Sequence, residues 1–194
     1  GYDPGPDDGL FGPRTRAAGQ AWLDAGGAPR RPARPAVAIA SRGAIRQGKA
    51  GYPVDEIVVH SSATRPDWMG GRTFAERVAE VRRWHVEDRG WRDIGYHWLI
   101  DRDGTIAAGR AETEVGAGVV GHNQGVLHVC LLGGYGGAAS DPFGRHFTPA
   151  QDRALRGLIA QIRLRTPIAR VSGHNEWAAK ACPCFHVPTW EDAA

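Results

Sequence analysis

Two short stretches of the chain contain residues that bind metals or stabilise charge. SGHNEWAAKACPCF, near the C-terminal end, supplies His174, Lys180, Cys182 and Cys184. It follows PIARVSG, whose β-branched residues predict a strand that delivers the chain to His174. Far upstream, EIVVHSS carries His60 and is a short apolar run typical of a strand buried on both faces of a sheet.

The two histidines and one of the cysteines form a candidate metal site. If the two strands run parallel and adjacent, both imidazoles emerge at the carboxyl-end edge of the sheet, where open α/β folds place ligand sites. Two histidines alone hold a metal poorly, but Cys182 lies eight residues beyond His174 and can fold back as a third ligand. Two imidazoles and a thiolate suit zinc, and three protein ligands leave the fourth tetrahedral position for water, as in catalytic sites.

Such a site predicts hydrolytic chemistry with one zinc ion. Zinc lowers the pKa of a water molecule that it binds to about 7 and polarises a substrate carbonyl group. The alternative is a structural zinc site, which needs a fourth protein ligand, and Cys184 is the only local candidate. The remaining cysteine, Cys130 in VCLLGG, is expected to be a buried apolar residue.

The elements that must position these residues form an α/β pattern from residue 56 onward. TFAERVAEVRRWHVEDRG predicts a helix that begins with Thr73 and Glu76 in a capping box and ends at Gly90. YHWLIDRDGTIAAG predicts two strands joined by an Asp-Gly pair at 103–104, which favours a hairpin turn. VLHVCLLGG predicts another buried strand.

A second helix completes the predicted domain. Thr148 caps it, Pro149 lies in its first turn, and Pro167 ends it. Its apolar residues at helical spacing are Leu155, Leu158, Ile159 and Ile162. The predicted fold class is therefore α/β, with a single mixed central β-sheet flanked by helices and a short N-terminal helical fragment before it.

The composition limits the classes of partner. The 194 residues have a net charge of +3, but residues 29–49 contain six basic residues and no acid, which leaves 18 basic against 21 acidic residues elsewhere. The basic stretch has no interleaved aromatic residue, so it does not indicate a nucleic-acid partner. No apolar run approaches the ~20 residues of a membrane span. The chain begins at Gly1 with no visible signal peptide, which leaves the export route open.

Four blocks of the chain resemble one family. The blocks are VVHSSAT at 58–64, GYHWLIDRDGTIAAGR at 95–110, GHNQGVLHVCLLGG at 121–134 and GHNEWAAKACPCF at 173–185. Their order and content resemble those of the zinc-dependent N-acetylmuramoyl-L-alanine amidases, which include phage lysis amidases and peptidoglycan-recognition proteins. The resemblance covers roughly residues 56–190 and implies the fold of that family.

The resemblance also implies an activity and a role for each site residue. The ligands of one Zn²⁺ ion in the family fall on His60, His174 and Cys182, the same three that the residue types indicate. The catalytic tyrosine and lysine of the family fall on Tyr96 and Lys180, which can stabilise the oxyanion of a cleaved amide. Which of these two, if either, also relays a proton to the leaving amine is left open. The implied substrate is cell-wall peptidoglycan, cut between N-acetylmuramic acid and L-alanine. We expect the protein to be a monomer.

A non-catalytic peptidoglycan-recognition module of the same fold is the alternative interpretation. Such relatives typically lack the cysteine ligand, whereas this chain has Cys182, which favours an enzyme. A phage or prophage endolysin and a housekeeping amidase fit the pattern equally well.

The chain departs from the family pattern in two places. Gly118 stands where the family often has a histidine, which removes a polar contact to substrate. Val126, Leu127 and His128 stand where the family often has Ser-Ile-Gly, which makes the strand more apolar and moves an imidazole into it.

Several further residues carry weaker expectations. We expect His97 and His122 to line the cleft or pack behind it, and Glu176 to orient a ligand by hydrogen bonding. Trp84 and Trp98 are expected in the core, and Trp68 is expected to be exposed.

The N-terminal part predicts a separate unit. GYDPGPDDGLFGPRTRAA resembles the latter half of a small helical peptidoglycan-binding module, and the alternative is a turn-rich extension packed on the main body. The Pro-, Arg- and Ala-rich stretch after it is typical of a semi-extended connector. The predicted organisation is a partial peptidoglycan-binding-like segment at 1–27, a linker at 28–53 and a zinc amidase catalytic domain at 54–194.

Overall fold

The computed structural model describes residues 44–193. The segment at 1–27 and most of the linker lie outside these residues. Residues 44–193 belong to one compact unit, which includes an antiparallel hairpin of β1 (Arg46–Gln47) and β2 (Tyr52–Pro53). The hairpin precedes residue 54, where the catalytic domain is predicted to begin, and the predicted division into three parts stays a prediction.

A five-stranded mixed sheet forms the centre of this unit. Its strands are β3 (Glu56–Ser61), β4 (Trp98–Ile100), β5 (Ile106–Ala108), β6 (Val126–Leu131) and β7 (Arg170–Gly173). The spatial order is β5-β4-β6-β3-β7. The pairs β4 with β6, β6 with β3, and β3 with β7 are parallel, and β4 with β5 is antiparallel. The predicted mixed central sheet is confirmed.

The two central strands are buried along their whole length. Side chains alternate between the two faces of a strand, so Ile57 and Val59 point to one face and Val58 and His60 to the other. The parallel register pairs Val58 with His128, which places His128 on the same face as His60.

The predicted hairpin between β4 and β5 is confirmed. The Asp101 carbonyl accepts from Gly104 at 2.9 Å, and the Asp101 N–H donates to the Thr105 carbonyl, also at 2.9 Å. Gly104 has a φ of +85°, a backbone conformation that favours glycine. The Asp-Gly signal therefore marked the turn correctly.

The first helix is shorter than the sequence pattern predicts. Helix α1 is Phe74–Arg83, with the predicted capping box between Thr73 and Glu76. The five residues Trp84–Asp88 then form a wider π-helical turn. The reason is tertiary: His85 is buried in this turn, where its Nδ1 accepts a hydrogen bond from the backbone N–H of residue 95 at 3.1 Å.

Two further helices cover the face of the sheet to which Ile57 and Val59 point, and α1 packs on the opposite face. Helix α2, Pro149–Arg163, has the predicted Thr148 cap and buries the four predicted apolar residues, although it ends before the predicted stop at Pro167. Helix α3, Val187–Asp192, was not predicted, because six residues are too few to show a period. Its Trp190 packs against the main core.

Apolar clusters lie on both faces of the sheet. The larger cluster joins α2, α3 and the inner strands, and a smaller one joins α1 to β4 and β6 through Val81, Leu99 and Cys130. Cys130 is fully buried, as predicted. None of the helices in the described part of the chain has both the length and the apolar composition needed to cross a bilayer.

Leu155 should contribute strongly to stability, since it is fully buried between α2 and the sheet. Leu155→Ala is expected to lower the free energy of unfolding by about 3 kcal/mol, through lost apolar contact and the cavity left behind. Leu164, just after α2 and 59% exposed, is the matched control. Leu164→Ala should change the free energy by less than about 0.5 kcal/mol. Urea unfolding measures both, and equal losses would contradict the assigned packing.

Candidate metal centre

His60 and His174 lie side by side at the carboxyl-end edge of the sheet. Strands β3 and β7 are parallel neighbours, with Val59 opposite Gly173. The next residue of each chain segment is a histidine, and the two ring centroids are 4.9 Å apart. His60 is 1% exposed and His174 is 9% exposed, so both rings are largely removed from solvent. This is the arrangement expected from adjacent parallel strands.

Cys182 reaches the same edge from the loop between β7 and α3. Its Sγ accepts a hydrogen bond from the Ser61 N–H at 3.2 Å and lies 3.8 Å from His60 Nδ1. The Cys182–Pro183 peptide bond is cis. Within residues 44–193, one group of side chains can hold a metal ion: His60, His174 and Cys182, whose ligand atoms all lie within 4.8 Å of one another.

The spacing of these atoms fits a zinc ion. Zinc binds histidine nitrogen at about 2.0 Å and cysteine sulfur at about 2.3 Å, so the two atoms are about 3.6 Å apart in a tetrahedral site. The 3.8 Å between His60 Nδ1 and Cys182 Sγ agrees with that separation. Three protein ligands leave one tetrahedral position for a ligand from outside the chain.

Cys184 does not belong to this group. Its backbone has a φ of +73°, and its buried Sγ donates to the Gly134 carbonyl at 3.2 Å. The thiol is therefore engaged away from the histidines. A structural zinc site with Cys184 as the fourth ligand finds no support in this geometry.

Burial sets the protonation of the ligand group. It lowers the pKa of His60 well below the ordinary value for histidine, and positive charge at His174 and Lys180 lowers it further. Burial and Lys180 likewise lower the pKa of His174. Burial raises the pKa of the Cys182 thiol, against the opposing effect of the Ser61 N–H. At pH 7 both imidazoles are neutral and can donate a lone pair, whereas the thiol must lose a proton to bind a metal.

Tyr96 lies next to the ligand group. Its ring centroid is 5.1 Å from that of His60. Burial raises the pKa of Tyr96 well above the ordinary tyrosine value, and the Cys130 and Cys182 thiols add to the effect, so the hydroxyl stays protonated and can donate. Tyr96 also lines a cavity of about 530 Å³, together with Ser62, Trp84, His85, Asp88 and Arg89.

A buried arginine holds the segment that carries Tyr96. The Arg110 guanidinium donates to the carbonyls of Asp93, Ile94 and Val115 at 2.7–2.9 Å, and the Arg110 N–H donates to the Tyr96 carbonyl at 2.8 Å. Sequence reasoning missed this role, although Arg110 is the last residue of the second family block. A buried arginine that satisfies three carbonyls is a strong constraint on a loop.

Lys180 is exposed and close to the ligand group. Its positive charge lowers the pKa of both His60 and His174. It lines a second cavity of about 430 Å³, with Asn175, Ala178 and His186 among the other lining residues. The structure therefore brings all five predicted site residues to one region of the sheet edge.

Residues with weaker expectations fall in different places. His122 bonds Glu56 at 2.7 Å and stacks on Trp177, which is a packing role. Glu176 accepts from the Gly173 N–H at 2.6 Å and pairs with Arg170, so it braces the turn that carries His174 rather than a ligand side chain.

The tryptophan expectations were only partly right. Trp68 is half-buried against Trp84, with ring centroids 5.1 Å apart, and is not the exposed residue we predicted. Trp84 and Trp98 pack against the two apolar clusters but stay half-buried.

Fold and site together define a class. The protein is an α/β protein with a mixed sheet, and at the carboxyl-end edge of that sheet two neutral imidazoles and a thiol can hold one divalent metal ion. Comparison with known proteins narrows the class to a family. The sequence matches the N-acetylmuramoyl-L-alanine amidase family over residues 50–185. The chain belongs to this family, as its four sequence blocks predict.

Individual relatives agree with this assignment. The endolysin of Escherichia phage T7 is 42% identical over 144 residues, which cover 74% of this chain and 89% of that protein. The endolysin of Klebsiella phage KP32 is 42% identical over 135 residues, covering 70% and 83%. Among solved structures, the endolysine N-acetylmuramoyl-L-alanine amidase LysCS from Clostridium intestinale URNW superposes with a TM-score of 0.57 at 25% identity, covering 72% of this chain and 82% of that one. The predicted amidase-like fold is confirmed.

Zinc binding should release a proton and strengthen with pH. His60 and His174 are already neutral at pH 7, but the raised pKa of Cys182 keeps its thiol protonated there. We therefore expect about one proton released per zinc ion, and an affinity that rises about tenfold per pH unit between about pH 6.5 and 8. Titration calorimetry in buffers of different ionisation enthalpy measures both quantities. Cys184→Ala is the control and should release the same proton; an affinity independent of pH would contradict the assignment.

Proposed function

We propose that this protein is a zinc-dependent amidase that cleaves peptidoglycan between the lactyl group of N-acetylmuramic acid and L-alanine of the stem peptide. That the chain is a peptidoglycan amidase follows from its family. The proposal adds the metal, its ligands and the roles of two further residues. The observation that carries it is the convergence of His60, His174 and Cys182 within 4.8 Å at the sheet edge.

The metal ligands are His60, His174 and Cys182. A zinc ion bound there supplies an acidified water molecule and polarisation of the substrate carbonyl. The protein fixes the geometry of the site: β3 and β7 hold the histidines through their parallel register, and the Ser61 N–H holds the sulfur. Burial keeps bulk water away, which strengthens every electrostatic interaction at the reacting group.

Tyr96 is proposed to stabilise the oxyanion. Its hydroxyl remains protonated because burial raises its pKa, so it can donate a hydrogen bond to an oxygen that gains negative charge. Arg110 holds the Tyr96 backbone in place, which fixes the segment before β4 from which the side chain extends.

Lys180 is proposed to supply positive charge on the side of the site that faces the second cavity. It is exposed, so it can meet a large substrate, and it lies near enough to both histidines to depress their pKa values. An ammonium group there stabilises the same developing negative charge. Neither Tyr96 nor Lys180 is assigned as the group that relays a proton to the leaving amine.

The third ligand favours an enzyme over a recognition module. A module that only grips peptidoglycan has no need of a thiol at hydrogen-bonding distance from Ser61 and beside His60. We further propose that the protein acts on the cell wall as a lytic enzyme of the endolysin kind and works as a monomer, with residues 1–27 as a separate wall-binding segment. The similarity to phage endolysins supports the lytic role.

Replacement of Tyr96 or Lys180 tests the oxyanion roles. Tyr96→Phe and Lys180→Met should each lower kcat by about 10²–10³-fold, the usual cost of one oxyanion donor, with a smaller change in KM. Release of stem peptide from purified sacculi, followed by mass spectrometry, gives the rates. Zinc content should stay at the wild-type level. Tyr52→Phe, the same change in β2, is the control, and wild-type kcat in both site variants would refute the roles.

Replacement of Cys182 separates hydrolysis from recognition. Cys182→Ser should lose zinc and reduce peptide release by at least about 10²-fold, because a serine hydroxyl is a poor zinc ligand. The variant should still sediment with sacculi, since the cavities beside the site remain. Chelation of the wild-type protein should abolish release and added zinc should restore it. Hydrolysis by metal-free wild-type protein would end the proposal.

A further inference from the structure

Three histidines lie buried on one face of the sheet. His60, His97 and His128 are at most 1% exposed. His60 Nε2 lies 3.0 Å from His128 Nδ1, and the rings of His97 and His128 are stacked 5.8 Å apart. Of the three, the proposed function uses only His60. His128 contacts this proposed metal ligand directly, at His60 Nε2, whereas the sulfur of Cys182 faces the other ring nitrogen, Nδ1.

The hydrogen bond between His60 and His128 can have its proton on either His60 Nε2 or His128 Nδ1. A nitrogen–nitrogen distance of 3.0 Å is a hydrogen bond, so one of the two atoms donates and the other accepts. His60 Nδ1 faces Cys182 Sγ and must be unprotonated to bind a metal ion. A neutral imidazole with a free Nδ1 carries its proton on Nε2. In the metal-binding state, His60 is therefore the donor and His128 Nδ1 is the acceptor.

This assignment leaves the other nitrogen of His128 with a proton and no acceptor. His128 Nε2 is buried and has no hydrogen-bond partner among the described residues. A buried polar atom without a partner destabilises a fold, so packing alone does not favour a histidine at this position. An apolar side chain of similar size would remove this unpaired atom, but it would leave the buried His60 Nε2 without a partner. The ring is better explained by what its Nδ1 does for His60.

Two glycines make room for the pair. A Cβ atom at Gly118 would lie 2.5 Å from His128 Nδ1 and 2.8 Å from His60 Nε2. A Cβ atom at Gly116 would lie 2.5 Å from His128 and 2.7 Å from His97. All four distances are shorter than real Cβ contacts, so any larger residue at either position must displace a histidine. The loop that covers the three histidines is shaped to their rings.

His97 in turn fixes the backbone of His128. The His128 N–H donates to His97 Nδ1 at 2.9 Å, and the His97 N–H donates to the His128 carbonyl at 2.9 Å. Since His97 Nδ1 accepts, its Nε2 carries the proton and donates to the Glu114 carbonyl at 2.9 Å. His128 therefore has a fixed backbone, and its ring is confined by the covering loop.

We propose that His128 is a positioning residue that accepts the Nε2 proton of His60 and so holds the His60 ring in the orientation and tautomer that present Nδ1 to the metal ion. The inference rests on the proposed role of His60 as a zinc ligand. Carbonyls and carboxylates usually accept the second proton of a metal-binding histidine. Here a second buried imidazole takes that place.

Two substitutions of His128 distinguish the role of its hydrogen-bond acceptor, Nδ1, from the role of its side-chain volume. His128→Leu keeps similar bulk but has no acceptor, and should weaken zinc affinity by about 10–100-fold. His128→Asn can place its Oδ1 near the position of the lost Nδ1, and should bind zinc within about threefold of wild type. Chelator competition gives the affinities. Thermal unfolding of the zinc-free proteins should show His128→Leu and His128→Asn about equally stable, because the leucine removes the unpaired His128 Nε2 but leaves His60 Nε2 without its partner. A merely structural role of the hydrogen bond would instead make His128→Leu clearly less stable than His128→Asn without zinc.

Gly118→Ala tests the same contact from the covering loop. Its φ lies outside the left-handed region, so the added methyl group acts only through its collision with the two rings. Zinc affinity should fall as in His128→Leu. Gly157→Ala in α2 is the matched control, because nothing lies within 4 Å of the added atom. That variant should bind zinc as the wild type does.

Nitrogen-15 NMR on the wild-type protein tests the proton position without any substitution. The zinc-loaded protein should show a proton on His60 Nε2, a proton on His128 Nε2, and a coupling across the hydrogen bond between His60 Nε2 and His128 Nδ1. A proton on His128 Nδ1 in the zinc-loaded protein would overturn the inference. So would equal zinc affinities of His128→Leu and the wild type, or equal losses in His128→Leu and His128→Asn.

The two proposals fail in different ways. If His60→Ala binds zinc as tightly as the wild type, the metal ligand assignment is wrong and the role of His128 is refuted with it. If His60→Ala loses zinc and His128→Leu does not, the metal site stands and only the role of His128 is refuted.

Discussion

The parallel pairing of β3 with β7 is the constraint on which the site depends. Because Val59 lies opposite Gly173, the next residues, His60 and His174, are adjacent although 114 positions separate them in the chain. A slip of one residue would turn one imidazole to the opposite face of the sheet. The buried strand β3 resists such a slip, since it would exchange the side chains that pack against the two covered faces of the sheet. The stability of the core and the geometry of the ligand group therefore have the same origin.

Burial then decides what the site can do. It keeps the imidazoles of His60 and His174 neutral, so that they can donate lone pairs, and it keeps the Tyr96 hydroxyl protonated, so that it can donate a hydrogen bond. It also raises the pKa of Cys182, which couples metal binding to the loss of a proton. One physical cause, removal of charge-bearing groups from water, prepares both the proposed metal ligands and the proposed oxyanion donor.

The histidines behind the ligand group connect two features that are far apart in the sequence. Gly118 and His128 belong to the two places where the chain departs from the expected family pattern, and they are neighbours in space, because a Cβ atom on Gly118 would lie 2.5 Å from His128 Nδ1. A side chain at position 118 would collide with the His128 ring, so the residues at these two positions constrain each other. The sequence alone indicates that Gly118 removes a substrate contact and that His128 is a substitution within a strand, and it does not connect the two residues.

The sequence by itself determined the α/β class, the capped helices, the Asp-Gly hairpin, the family and the five candidate site residues. These follow from local signals: apolar period, capping residues, turn chemistry and motif order. Tertiary structure alone decided the rest. The π-helical turn at Trp84–Asp88 forms because His85 meets the backbone at residue 95, Arg110 clamps the Tyr96 segment through carbonyls remote from it, and His128 meets His60 across 68 positions. Such contacts join residues whose separation in the chain carries no periodic signal, so only the folded backbone could reveal them.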